Sequence, residues 1–277
     1  VQLVHIATDG ESYGHHHNLG EMALSYCLNY LEEREDANLT IYGEFLEKFP
    51  PEYEAQIIEN TSWSCYHGVE RWRSDCGCNT GGNNNWNQKW RKPLRETFDW
   101  IREDLIELYE KELKEYTSEP WAVRDRYIQV ILNRSTDNVQ AFLTENFGDD
   151  LSEDEKVKLL KLMEMQYHAM LMYTSCGWFF DEVTGIESMQ DIFYAKRAIQ
   201  LAEEISGKNY EDEFVERLEN IPSNIPVFEN ARSAYNKFVK PMALDMIRIG
   251  AHYAVSSLFE EFPEEVSLYN FSASVKS

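Results

Sequence analysis

Basic side chains are scarce in this sequence. Its 277 residues hold 26 Lys and Arg against 49 Asp and Glu, a formal net charge of −23. That balance argues against phosphate-backbone binding, because a polyanion would be repelled. It equally disfavours an anionic membrane surface. Apolar runs fall far short of a membrane span, and no signal peptide is visible. Neither nucleic acid nor membrane is therefore expected as a partner. Cysteine is sparse, odd in number at five, and scattered. This reads as reduced thiols in a cytoplasmic protein rather than a disulfide framework.

Aromatic residues, by contrast, make up 13% of the chain, enough for a core or a stacking surface. The length permits one large domain or two small ones. There is no initiator Met. Val1-Gln2-Leu3-Val4-His5-Ile6-Ala7 opens the sequence as a short apolar run closed by Asp9-Gly10, which reads as a buried strand. Val266 to Val275 alternates apolar and polar, a second strand signal. Both need neighbours for their backbone groups. A helical body with an orphan strand at each end is expected of a segment cut from a larger protein. Alternatively, the two ends pair with each other or with Leu39–Tyr42.

Between the ends, apolar spacing predicts helices at about Asn18–Glu35, Gly43–Lys48, Gln88–Tyr116, Trp121–Asn133, Val139–Phe147, Ser152–Ser175, Ile186–Ile205, Tyr210–Asn220 and Ala231–Phe259. Ser152-Glu153-Asp154-Glu155 is a capping box, and Pro241 should kink or divide the last helix. The first helix should carry Leu19, Met22, Ala23, Tyr26, Cys27, Tyr30 and Leu31 on one face. Thr61–Asn87 differs. It is rich in Gly, Asn and Trp, has little periodicity, and is too long for an ordinary connection.

Three segments can carry chemistry. The first, Thr8 to His17, places Asp9 and Glu11 at i and i+2, then three imidazoles. At a strand end, that set suits acid–base work or a metal. The alternative is a solvated turn with Asp9 capping the next helix. The second holds Trp63, Cys65 and His67, then Trp72, Arg73, Asp75, Cys76 and Cys78. Its Cys-x-His and Cys-x-Cys offer zinc ligands, but the spacing departs from the common Cys-x-x-Cys pairs. A packed, thiol-lined loop is expected, with no metal or other cofactor. Its Trp side chains, with Arg71, Arg73 and Asp75, also suit sugar recognition, the aromatic faces stacking on pyranoses and the charged groups binding hydroxyls. The third, Tyr173 to Glu182, breaks a long helix and sets Trp178 and Asp181 side by side with Phe179 and Phe180. A helix end at Gly177 with core aromatics is the simple alternative.

Together these segments resemble family-57 glycoside hydrolases, the group of α-amylases, α-glucanotransferases and branching enzymes. Asp9, Glu11, Gly14 and His15 match the family's Asp-x-Glu-x-x-Gly-His region, with His16-His17 where the family often has Trp-Trp. Ser175 and Trp178 resemble its fifth region, although Cys176-Gly177 stand near the expected Asp. The second segment, with Trp86-Asn87-Gln88-Lys89-Trp90-Arg91, is similar to the uncharacterised domain attached to such catalytic domains. The resemblance implies a retaining mechanism, with Asp9 as acid/base and a glutamate nucleophile in an earlier region that nothing here matches. Asp9 and Glu11 project to one side, so they are not themselves the carboxyl pair about 5–5.5 Å apart that flanks a ring.

The resulting expectation is a mainly α, bundle-like domain with a few short strands at its termini, excised from a larger β/α-barrel plus helical enzyme. Residues 1–60 would be the C-terminal edge of the barrel, 61–87 a site loop, 88–262 the helical domain and 263–277 the start of a β segment. The function implied is the substrate-walling part of a retaining glycosidase or α-glucanotransferase, inactive in isolation. Its partners would be an α-glucan-like oligo- or polysaccharide and the upstream barrel. Glu11, His15, His16, Trp63, His67, Trp72, Trp178 and Asp181 would bind substrate. The alternatives are a non-catalytic carbohydrate-binding or interaction domain, and a metal-dependent hydrolase centred on His15, His16, His17 and Glu11.

Overall fold

In a helix, apolar residues three and four apart share a face, and the stripe they form must be buried. Helix α3 (Arg91–Leu113) does this with Leu94, Phe98, Ile101, Leu105, Leu108, Tyr109 and Leu113. The computed structural model describes residues 2–34, 36–263, 265–268 and 271–274. The chain divides into two compact units, Val1–Glu59 and Asn60–Ser277.

The second unit is built on α3. Short helices α4 (Pro120–Arg126), α5 (Ile128–Leu132) and α6 (Thr136–Phe147) follow it. Then α7 (Glu153–Leu171), the single turn α8 (Cys176–Phe179), α9 (Ile186–Ser206), α10 (Glu211–Glu219), α11 (Ala231–Ala234) and α12 (Met246–Ser256) complete the helical order. The helices of the first unit are α1 (Gly20–Glu32) and α2 (Tyr42–Lys48).

Helix α7 starts where its capping box predicts. Ser152 accepts from the Glu155 amide, and Glu155 accepts from Ser152 N–H at 2.8 Å. It lies along α9, and α3 packs against both. Ala195, Ala198 and Ala202 on α9 are all fully buried, and small side chains let helix axes approach closely. A buried polar contact crosses from α7 to α3, with Gln166 Nε2 donating to Leu105 O at 3.1 Å. Pro241 divides the last predicted helix as expected. After α11 the chain runs through a π turn (Tyr235–Val239) and a 3-10 turn (Lys240–Met242) before α12 begins.

The strand expectations need correction. Residues 2–8 form no strand, and of the Leu39–Tyr42 stretch residues 39–41 form none and Tyr42 begins α2. A strand requires a neighbouring row of backbone groups, and no described residue offers one there. Val4 and Ile6 are exposed instead. Near the other end, the single predicted strand is a two-stranded hairpin. Strands β1 (Glu265–Leu268) and β2 (Phe271–Ser274) pair antiparallel with Val266 opposite Ala273. Val1, Glu35, Tyr269, Asn270 and Val275 lie outside the described residues. Among the described residues there is no barrel and no larger sheet.

The apolar face expected on α1 is present in sequence but not buried, and neither α1 nor α2 contains a buried residue. A unit of this size has too little interior to cover such a stripe. No described helix is long and apolar enough to cross a membrane.

Candidate functional site

In the first unit, the Asp9–His17 segment is a compact double turn. Ser12 N–H donates to Asp9 O at 3.0 Å, His16 N–H to Glu11 O at 3.1 Å and His17 N–H to Ser12 O at 3.1 Å. These bonds bring Glu11, His15 and His16 into one exposed group whose donor atoms lie within 4.8 Å of one another. Glu11 Oε2 is 3.5 Å from His16 Nε2, and the His15 and His16 rings meet edge to face. Asp9 is exposed at the head of the turn.

In the second unit, the 61–90 loop has almost no regular structure, yet it is tightly tied. Its anchors are two buried arginines. Arg71 donates through Nε and Nη2 to Phe179 O at 3.1 and 2.7 Å, and through Nη1 to Ser64 O at 2.8 Å. Its guanidinium lies 4.0 Å from the centre of the Phe179 ring. Arg91, at the start of α3, donates to Cys78 O at 2.8 Å and Phe180 O at 3.3 Å. Burial, with the nearby Arg71 charge second, pulls Arg91 down to about 10. In sequence Arg71 is legible as a polar group beside tryptophans that suits sugar hydroxyls, but the fold buries it as an anchor. Arg91 carries only the signal of a charged residue following an aromatic, weakly periodic stretch.

The loop and the third segment therefore meet. Trp72 Nε1 donates to Ser175 O at 3.1 Å, and the Trp63 and Phe179 rings are 6.2 Å apart. Asp181 is buried, and its carboxylate accepts from Thr80 N–H and, at 2.6 Å, from Thr80 Oγ1. Glu182 accepts from Thr184 Oγ1, Ser223 Oγ and the Asn224 amide. Asp181 thus holds the loop to the third segment, whereas Glu182 holds the Ser223–Asn224 turn, whose Asn224 side chain in turn pairs with the Asn87 backbone. Trp178 is buried between Phe98 and Tyr173, with ring centres at 5.6 and 6.3 Å. Trp178 and Asp181 present no open face to a ligand here. Trp63 does the opposite and is 91% exposed.

At the centre of the loop, Cys65, His67, Cys76 and Cys78 converge, with all four donor atoms within 4.8 Å of one another. Two glycines shape the approach. Gly77 has φ +81°, which lets Cys76 and Cys78 turn to one side. Gly68 has φ +79°, and a Cβ there would sit 2.4 Å from Asn60 O. Burial acts to raise the Cys65 thiol, but the His67 and Arg71 amides facing its sulfur and the neighbouring thiols bring it down to about 7. Burial pushes Cys76 up to about 11. Surface hollows beside α10, lined by residues such as Asp212, Glu216 and Arg217, share no residue with either cluster.

The family described as "Domain of unknown function (DUF3536)" matches residues 86–277, well over half of the sequence. The chain belongs to the DUF3536 family. No curated protein and no solved structure matches it. The family segment begins at Trp86, so the Cys–His loop lies just upstream of it. The arginine and carboxylate contacts above tie that loop into the DUF3536 segment.

Proposed function

We propose that this chain is the substrate-walling, C-terminal part of a retaining glycoside hydrolase or α-glucanotransferase resembling family 57. Asp9 is the acid/base, and an upstream catalytic barrel of the same polypeptide supplies the nucleophile. The observation that carries the reading is the exposed run before Asp9. Val4 and Ile6 are 82% and 85% exposed, and they lead directly into the Asp9–Glu11–His15–His16 turn. Exposed β-branched residues with unpaired backbone fit a strand waiting for its sheet. Ligands gather at the carboxyl ends of such strands. The uncovered apolar face of α1 fits the same neighbour.

Trp63 adds a sugar-binding element. Its indole face is open, while Arg71 and Trp72 fix the loop beneath it. A rigid, exposed aromatic plane is what stacking on a neutral pyranose needs. The strongly acidic surface does not oppose an uncharged ligand.

The test uses the polypeptide that includes the upstream barrel, assayed on an α-glucan. Asp9→Asn should lower kcat by about 10²–10⁴-fold, the range for losing a general acid–base group. Residues 1–277 alone should show no turnover. Full activity in the Asp9→Asn protein would sink the proposal, as would turnover by residues 1–277. A second reading, a metal-dependent hydrolase, is favoured by the convergence of Glu11, His15 and His16. It requires activity that a chelator abolishes and that His15→Ala also removes.

A further inference from the structure

The geometry points to a structural zinc site formed by Cys65, His67, Cys76 and Cys78, independent of the glycan reading.

The distances carry the assignment. Tetrahedral zinc binds thiolate at about 2.3 Å and imidazole nitrogen at about 2.0–2.1 Å. Tetrahedral angles then place sulfurs about 3.8 Å apart, and sulfur about 3.6 Å from nitrogen. Cys65 Sγ lies 3.9 Å from Cys76 Sγ and 3.8 Å from Cys78 Sγ. Cys78 Sγ lies 3.6 Å from His67 Nδ1. These three separations match three edges of one zinc tetrahedron, and the remaining pairs of donor atoms lie within 4.8 Å of one another. Ordinary packing of a thiol-lined loop gives no reason for all four to meet.

The surroundings fit an anionic centre. The His67 and Arg71 amides face the Cys65 sulfur, and the Cys78 amide faces that of Cys76. Donors aimed at sulfur are the usual outer partners of metal-bound thiolates. Arg71 and Arg91 bury two positive charges close by, and the nearest carboxylate to Arg91 is Asp181 at 3.9 Å. Three thiolates and one imidazole around Zn²⁺ carry one net negative charge, which helps to balance the pair. The spacing that counted against a metal in the sequence is met by the fold. Cys65-x-His67 and Cys76-Gly77-Cys78 each fold back within two residues, and Gly77 permits the second turn.

With all four donors supplied by protein, the site is closed, as structural zinc sites are. Its role is to fix the loop carrying Trp63 against the helical body. Zinc needs no oxidant or reductant here, since binding only displaces thiol protons.

The test is metal analysis of the full 277-residue chain, purified under reducing conditions with zinc supplied. One zinc per chain is expected. Exchange with Co²⁺ should give the visible absorption of tetrahedral, thiolate-bound cobalt. Cys76→Ser combined with Cys78→Ser should lose the metal, whereas His15→Ala combined with His16→Ala should retain it. Circular dichroism checks that the helical body survives. If the cysteine variant does not fold, the cobalt spectrum of the unaltered chain decides. Any one of three results would overturn the assignment: a folded chain without stoichiometric metal, an octahedral cobalt spectrum, or zinc retained in the folded cysteine variant.

Discussion

Trp178 and Trp63 stand in the same compact unit under opposite conditions. Trp178 is 1% exposed among Phe98, Tyr173 and the α3 stripe, while Trp63 is 91% exposed on the loop. The helical body around Trp178 is held by apolar area and close packing. The loop carrying Trp63 is held by charged side chains donating to backbone carbonyls and by the Asp181 carboxylate accepting from the Thr80 amide. The first kind of order is non-directional and tolerates many sequences. The second depends on a few particular groups and fixes one geometry. A rigid loop with an open aromatic face follows from that difference, because the groups holding it point inward.

The largest expected effect tests the body. Trp178→Ala should cost about 3–5 kcal/mol, the usual loss for emptying a large aromatic site in a core. Urea unfolding followed by far-UV circular dichroism would measure it. A loss below about 1 kcal/mol would mean that the ring is not a main support, and the contrast with Trp63 would collapse.

The same division explains what could be read from sequence. Apolar periodicity alone located α3, α7, α9 and α10, because each buries a continuous stripe. Ser152 and Pro241 marked a start and a break for local reasons that need no tertiary context. The loop was legible only as an irregular, aromatic-rich stretch. Nothing local shows that Arg71 reaches Phe179, which is 108 residues away, or that Thr80 meets Asp181. Asp181 looked like a substrate ligand because a carboxylate beside aromatics suits one, yet the fold uses it to hold the loop. The N-terminal run failed as a strand for a different reason. Its pattern was apolar and β-branched, but pairing is a property of neighbours, and no described residue pairs with it.

The middle effect is a pH response at the joint between the two regions. Asp191 on α9 is buried beneath Gly177, and a Cβ on Gly177 would sit 2.0 Å from Asp191 Oδ2. That oxygen has no hydrogen-bond partner among the described residues. Burial pushes the carboxyl up to about 8 from an ordinary 3.8. The unfolded chain releases this proton near pH 4, whereas the folded chain holds it until about pH 8. Asp191 therefore favours the folded state most at low pH, and its contribution falls as pH rises through that window. The whole shift would correspond to about 5–6 kcal/mol, and relaxation around the group reduces this. Asp191→Asn should stabilise the protein by about 2 kcal/mol at pH 8 and change little at pH 4. Denaturant midpoints for both proteins across that range would show converging curves at low pH. Parallel curves would mean that Asp191 does not titrate there.

The smallest expected effect on stability is the one that bears most on function. Trp63→Ala removes a side chain that is 91% exposed and whose ring centre lies 6.2 Å from that of Phe179. Little apolar area returns to water, so stability should change by no more than about 0.5 kcal/mol. Selection for folding alone gives no reason to hold a large indole in solvent on a loop fixed by two buried arginines. If the indole stacks on a sugar, the same substitution should weaken α-glucan oligosaccharide binding by about tenfold, corresponding to about 1.4 kcal/mol of lost contact. Titration calorimetry on both proteins would read the difference. Unchanged stability with weakened binding separates a ligand face from a packing face. Equal binding by the two proteins would remove Trp63 from the site and leave the glycan reading to the Asp9 turn. A stability loss as large as that of Trp178→Ala would show instead that the loop is held by its aromatics, and the division between the two regions would not stand.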